Sequence, residues 1–154
     1  LEKPDFADMV MGLLRETKFP PECLCLEITE RCKLLDLSLL KNVMATLRAK
    51  GVKFALDDFG TGFSSLGIAK ELTFDTIKID RSVVESIEVD SRNRELMSRF
   101  AVFAASFGAN LCVEGIETIG MRDILRQYPV NSFQGYFYSK PIRLEELLNS
   151  RFVE

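Results

Sequence analysis

Apolar and polar positions along this chain change their period repeatedly, and each change predicts an element. Met9, Val10, Leu13 and Leu14 recur at helical spacing within residues 6–17, and Pro20 and Pro21 close that helix. Residues 23–29 alternate as a strand. Leu39, Leu40, Val43, Met44 and Leu47 form the apolar face of a second helix over 36–50, with Gly51 as its C-terminal stop. A second strand covers 52–57, then a glycine-bearing loop 58–65, then a third strand over 74–80. A long helix spans 91–107, a fourth strand 110–114, a helix 118–127, a short fifth strand 131–134, and a final helix 143–149.

Strand–helix alternation of this kind predicts parallel α/β architecture. Side-chain parity separates an open sheet from a barrel. Leu24, Leu26 and Ile28 share one face of the first strand, and Cys25 and Glu27 the other. Phe54 and Leu56 oppose Ala55 and Asp57; Ile77 and Ile79 oppose Thr76, Lys78 and Asp80; Leu111 and Val113 oppose Cys112 and Glu114; Phe133 opposes Ser132 and Gln134. Every strand has a bulky apolar face and a small or polar one, with a polar group at its C-terminal end. A doubly wound sheet, covered by helices on both sides, needs two apolar faces. A barrel needs one and carries its chemistry at the C-terminal rim. The expectation is a (β/α)8 TIM-like barrel, here an incomplete barrel of about five β/α units.

Composition changes this picture little. The 154 residues are 47% hydrophobic and 28% charged, as in an ordinary globular domain. The net charge of −3 carries no electrostatic footprint for a nucleic-acid polymer. No apolar run approaches the roughly 18 residues of a membrane span. The opening LEKPDFADMV has no signal-peptide pattern and no initiator Met, so the chain is read as a piece of a longer, cytoplasmic protein whose parent is free to be membrane-anchored. Cys23, Cys25, Cys32 and Cys112, without His or C-x-x-C spacing, do not form a zinc site and are expected as reduced, mostly buried thiols. Cys23 and Cys25, two apart on the first strand, are expected to point the same way.

The rim set is Glu27, Asp57, Asp58, Lys78, Asp80, Glu114 and Gln134, with Glu30 and Glu117 just beyond. Taken singly, each acid could be a solvated loop residue. As a set at matching strand ends, they would repel one another unless a cation neutralised them. With no His or thiolate among them, the donors suit magnesium or manganese rather than zinc. Lys78 is compatible with a structural ion pair to Asp57 or Asp80 as well as with a catalytic charge. Gly60 and Gly62 fit either turn formation or a mobile, regulated loop. Phe133, Tyr136, Phe137 and Tyr138 read as packing residues, with a base-stacking platform as the alternative.

Five segments carry a resemblance: LCLEITE (24–30), FALDDFGTGFSSL (54–66), IKID (77–80), VEGIET (113–118) and FQGYFYSKPI (133–142). They resemble successive motifs of the EAL domain, the bacterial phosphodiesterase that hydrolyses cyclic di-GMP to linear pGpG with two divalent ions. The resemblance covers essentially residues 1–154 and implies roles. Glu27 would ligate the first metal, Asp57 would bridge both, and Asp58 and Glu114 would ligate the second. Lys78 would contact the attacking water or the phosphate, and Asp80 would assist it. Gln134 and Glu117 would complete the site by hydrogen bonding. Glu30 would pin the loop of Phe59, Gly60, Thr61, Gly62, Phe63 and Ser64, which in the family couples metal binding to dimerisation. The resemblance also implies a homodimer in the complete domain and an upstream sensor or GGDEF domain.

Departures from the pattern are informative. The Glu-Ala-Leu motif and an early metal-binding Asn would both lie upstream of Leu1, and the length matches the last five strands of eight. Phe63 stands where Tyr is usual and Val113 where Ala is usual. Glu27 and Asp57 alone are too few ligands for a tight first metal site. The chain by itself is therefore expected to be nearly inactive, and to associate or rearrange through its open sheet edges. The competing readings are a degenerate, non-catalytic cyclic di-GMP receptor and a dimerisation or regulatory module.

Overall fold

A computed structural model describes residues 5–29, 36–61 and 65–149. Helix α1 (Phe6–Thr17) leads through a 3-10 turn (Pro21–Cys23) into strand β1 (Cys25–Thr29). There follow α2 (Leu37–Arg48), β2 (Lys53–Phe59), α3 (Ser65–Glu71), β3 (Thr76–Ile79) and α4 (Arg81–Val84). The chain continues through α5 (Ser91–Ser106), β4 (Asn110–Val113), α6 (Ile119–Leu125), β5 (Ser132–Phe133) and α7 (Leu144–Asn149). Among the described residues no helix is long and apolar enough to cross a membrane.

The five strands are all parallel and lie side by side in chain order, β1-β2-β3-β4-β5. A doubly wound sheet reverses its strand order at a switch point, whereas a barrel winds in one direction. This sheet never reverses, so it is an arc of a TIM-like barrel, an incomplete one. Its two faces follow the expected parity. Leu56 pairs with Ile77 and Ile77 with Leu111, while Ile79 pairs with Val113 and Val113 with Phe133. Ile28, Leu56, Ile77, Ile79, Leu111 and Val113 are each at most 1% exposed, packed under the helices. The helices answer with Leu40, Val43, Met44 and Leu47 of α2, Val83 and Val84 of α4, Met97, Ala101 and Ala104 of α5, and Met121 and Leu125 of α6. The other face carries Glu27 level with Ala55, and Lys78 level with Cys112.

At the N-terminal ends of the strands, side chains tie neighbouring elements together. Asp75 Oδ2 accepts from Arg48 at 2.5 Å and from the Phe54 amide at 2.8 Å, joining α2, β2 and β3. Asn131 Oδ1 accepts from the Leu111 amide at 2.7 Å, joining β4 and β5. Asp75→Ala removes the acceptor of a backbone donor in the core and the partner of a half-buried guanidinium. We expect it to cost about 2 kcal/mol in urea unfolding; a loss below about 0.5 kcal/mol would mean that water replaces the carboxylate freely.

Several elements depart from the sequence reading. Strand β1 starts at Cys25, because Pro21 begins a 3-10 turn that takes up Cys23; the two cysteines are not strand neighbours. Cys23 and Cys25 are exposed and only Cys112 is buried among the described thiols, all three of them free; Cys32 lies outside the described residues. On α1 the buried positions are Ala7, Val10 and Leu14, while Met9 and Leu13 are about half exposed, so the core face is rotated from the predicted one. Helices α3 and α4 fall, Ser65 apart, in stretches, 66–73 and 81–90, to which the sequence reading gave no element; α4 is set by Asp80, whose carboxylate caps it. Strand β2 runs on through Asp58 to Phe59, so Phe59, 3% exposed, belongs to the sheet and not to the loop. Its ring packs against Phe100 and Phe103 of α5, with centroids 5.2 and 5.0 Å away.

Candidate active site

Three carboxylates from three strands close on one ammonium. Lys78 Nζ on β3 lies 2.8 Å from Glu27 Oε1 on β1, 3.0 Å from Asp57 Oδ1 on β2, and 2.7 Å from Glu114 Oε1 just after β4. All sit at the C-terminal ends of the strands, on the face away from the helices, because parity puts them there. Lys78 is 7% exposed, the one buried charged residue among those described. Burial on its own would lower the pKa of this ammonium. The surrounding carboxylates of Glu114, Glu27 and Asp57 outweigh that and hold it above the ordinary lysine value. Lys78 is thus held as a cation among the three carboxylates.

A β-bulge shapes the β2 end of the cluster. Leu56 pairs with Ile77 and Phe59 with Ile79, so Asp57 and Asp58 together stand opposite Lys78 alone. Asp58 takes φ 56°, a left-handed conformation that Asp tolerates better than most residues. Two consecutive carboxylates therefore occupy the rim before Phe59 rejoins the helix-side layer. Beyond them Gly60 adopts φ +104°, and a Cβ there would meet Val83 Cγ2 at 2.7 Å, so this glycine is required by both conformation and packing. Thr61 Oγ1 donates to the Asp58 carbonyl at 3.0 Å. Gly62, Phe63, Ser64 and Glu30 lie outside the described residues.

Glu114 also opens onto a groove of about 240 Å³ lined by Arg81, Glu117, Gln134 and Tyr136. Arg81 Nη1 reaches Glu117 Oε1 at 2.7 Å. The guanidinium's stem crosses Gly115, where a Cβ would meet Arg81 Cγ at 2.5 Å. Gln134 is fixed through its backbone, which bonds Val113 O at 2.9 Å and the Ile116 amide at 3.1 Å. Asp80 is directed elsewhere: its carboxylate accepts from the Ser82 amide at 2.9 Å and from Ser82 Oγ at 2.5 Å, capping α4. Glu27, Asp57, Glu114 and Lys78 are thus brought together, Glu117 and Gln134 flank them, and Asp80 supports the helix that presents Arg81. Arg81 was missed in the sequence. A basic residue directly after a strand-end acid was the available signal, but it reads equally well as a solvated charge.

The EAL domain profile matches residues 1–141. The chain belongs to the EAL domain family. Among EAL relatives, the bifunctional diguanylate cyclase/cyclic di-GMP phosphodiesterase MucR of Pseudomonas aeruginosa is 32% identical over 93% of this chain and 21% of its own. The solved EAL domain of Mycobacterium smegmatis DcpA superimposes with a TM-score of 0.89 at 34% identity, over 94% of this chain and 65% of that one. Klebsiella pneumoniae BlrP1, solved as a manganese/cyclic di-GMP complex, gives 0.82 at 27% identity, over 90% of this chain and 36% of its own. The chain spans about a fifth of the length of the first curated relatives it matches, 19% and 21%.

Whether this EAL site suits a metal can be judged on its own atoms. Among the described residues no three acidic, thiol or imidazole groups stand ready to hold an ion; the carboxylates have closed on Lys78 instead. Their chemistry does suit a hard cation, being all oxygen donors. Asp57 Oδ1 is the telling atom. It is buried and, despite its 3.0 Å approach to Lys78, has no hydrogen bond of acceptable geometry. A buried anionic oxygen of this kind is costly unless a ligand satisfies it. In donor chemistry the residues fit a hard divalent ion.

Proposed function

We propose that the domain containing this chain is a metal-dependent phosphodiesterase that hydrolyses cyclic di-GMP to linear pGpG. The observation that carries this reading is the convergence of Glu27, Asp57 and Glu114 on Lys78 at the C-terminal mouth of the barrel arc. Glu27, Asp57, Asp58 and Glu114 would hold two Mg2+ or Mn2+ ions. When bound, these would supply positive charge against the phosphoryl oxygens and lower the pKa of a water. Lys78, fixed as a cation, offsets the negative charge that grows on the phosphate. Glu117 and Gln134 orient the substrate from the groove beside Glu114, and Asp80 holds α4 so that Arg81 can position Glu117. Glu30 and the loop from Gly60 to Ser64 would link the site to a homodimer. The remaining strands would come from sequence outside this chain, as would a sensor or GGDEF domain. The name of MucR and the 65% coverage of the DcpA domain support both points.

The test is hydrolysis of cyclic di-GMP, followed by chromatography of pGpG. The chain extended upstream by about 100 residues, toward a typical barrel length of about 250, should turn over substrate with Mg2+ or Mn2+ and stop in EDTA. The 154-residue chain alone should be at least about 100-fold slower, for want of ligands. The closure of the carboxylates on Lys78 favours one other reading, a receptor that binds the dinucleotide without cutting it. Tight binding by the extended chain with no metal-dependent product would establish that reading instead.

A further inference from the structure

We propose that Lys78 is the resident cation of this site: it assembles the carboxylate cage before any metal arrives, and an entering ion must displace it. This rests on the metal-dependent reading above and adds a role for Lys78 in the metal-free protein. Strand parity turns the three carboxylates to one face, but gathered there they repel, and parity does nothing to offset that repulsion. Among the described residues Lys78 is the only cation that pairs with Glu27, Asp57 or Glu114. An ammonium offers three N–H donors and no geometric demand beyond that, so it can hold three anions from three strands at once. The three contacts are close in length, 2.7 Å to Glu114, 2.8 Å to Glu27 and 3.0 Å to Asp57, so an entering ion competes with the ammonium for the same three anions. The cage exists in advance, and its assembly competes with metal entry.

The experiment compares wild type with Lys78→Met in the extended chain of the hydrolysis assay. Thermal unfolding is read in EDTA and in saturating Mn2+, with calorimetric titration of Mn2+ alongside. In EDTA, Lys78→Met should melt about 5–10 °C below wild type, because the largely buried Asp57 and Glu114 and the half-exposed Glu27 lose their partner. Mn2+ should then raise its melting temperature by at least about twice the rise in wild type, and the Kd for Mn2+ should fall about tenfold or more. Adding Glu27→Gln to Lys78→Met should recover part of the loss in EDTA, which a packing defect would not allow. Equal stability of wild type and Lys78→Met in EDTA would overturn the proposal. So would equal Mn2+ shifts in the two proteins, which would leave the metal site itself intact. A Lys78→Met protein that stays unfolded with Mn2+ and with Glu27→Gln would overturn it too, since Lys78 would then be needed for packing alone. Failure of both proteins to bind Mn2+ would overturn the metal site and the proposal together.

Discussion

Asp57→Asn, in the extended chain, is expected to lower cyclic di-GMP hydrolysis by about 10³-fold while leaving the fold intact. The substitution keeps the shape of the side chain and changes only one oxygen and its charge. That oxygen is buried at the bulge of β2, 3.0 Å from Lys78 and without a proper hydrogen bond. On the proposed function a bound ion would balance its burial, which no hydrogen bond of the protein does. Removing a group that acts on the transition state through preorganised charge typically costs about 10²–10³-fold, and more where an ion is lost with it. Stability should move by less than about 1 kcal/mol, because Lys78 keeps Glu27 and Glu114 and the carboxylates repel less. Product formation and thermal unfolding measured on one sample separate the two effects. Retention of more than about a tenth of wild-type activity would remove Asp57 from the reaction.

Gly135→Ala should produce the largest loss of stability. Gly135 lies two residues beyond the end of β5, and a Cβ built there would overlap the backbone nitrogen and oxygen of Ile116. Neither segment can yield easily. The Ile116 amide donates to the Gln134 carbonyl at 3.1 Å and the Phe137 amide to the Ile116 carbonyl at 2.9 Å, while the Ile116 side chain is fully buried. Backbone against backbone offers no rotamer to relieve the overlap, so both loops must separate. We expect a loss of about 3 kcal/mol, a fall in melting temperature of about 6–12 °C, and displacement of Gln134 and Glu117 with it. Gly12→Ala is the control, since nothing lies within 4 Å of that position on α1. There the same substitution should stabilise by about 0.5–1 kcal/mol through helix propensity. If the two variants unfold alike in urea, the close approach at Gly135 is not what shapes this rim.

The sheet was legible because alternation is a local property that survives into pairing. Leu56, Ile77 and Leu111 were assigned to one face from sequence and are partners in register. The gathering of Glu27, Asp57 and Glu114 followed from the same parity, since in a parallel arc the strand ends face one mouth. Short features were not legible. Helix α4 has four residues, too few for an apolar stripe to repeat along it, and depends on the Asp80 cap. The turn at Pro21–Cys23 hides within a run that alternates like strand. On α1, Met9 and Leu13 fit the helical spacing as well as Ala7 does, and only tertiary packing decides which face is covered. Arg81 escaped notice because its partner, Glu117, lies far along the chain.

The extra residue in β2 has a consequence for how such a site can change over generations. Without Asp58 the strand would keep regular alternation: Asp57 would still face the mouth, and Phe59 would still stand level with Ile79. The second carboxylate is therefore an insertion that the hydrophobic layer does not register. One codon gained or lost alters the number of anions delivered to the rim, and so what the mouth can hold, without asking the core to repack.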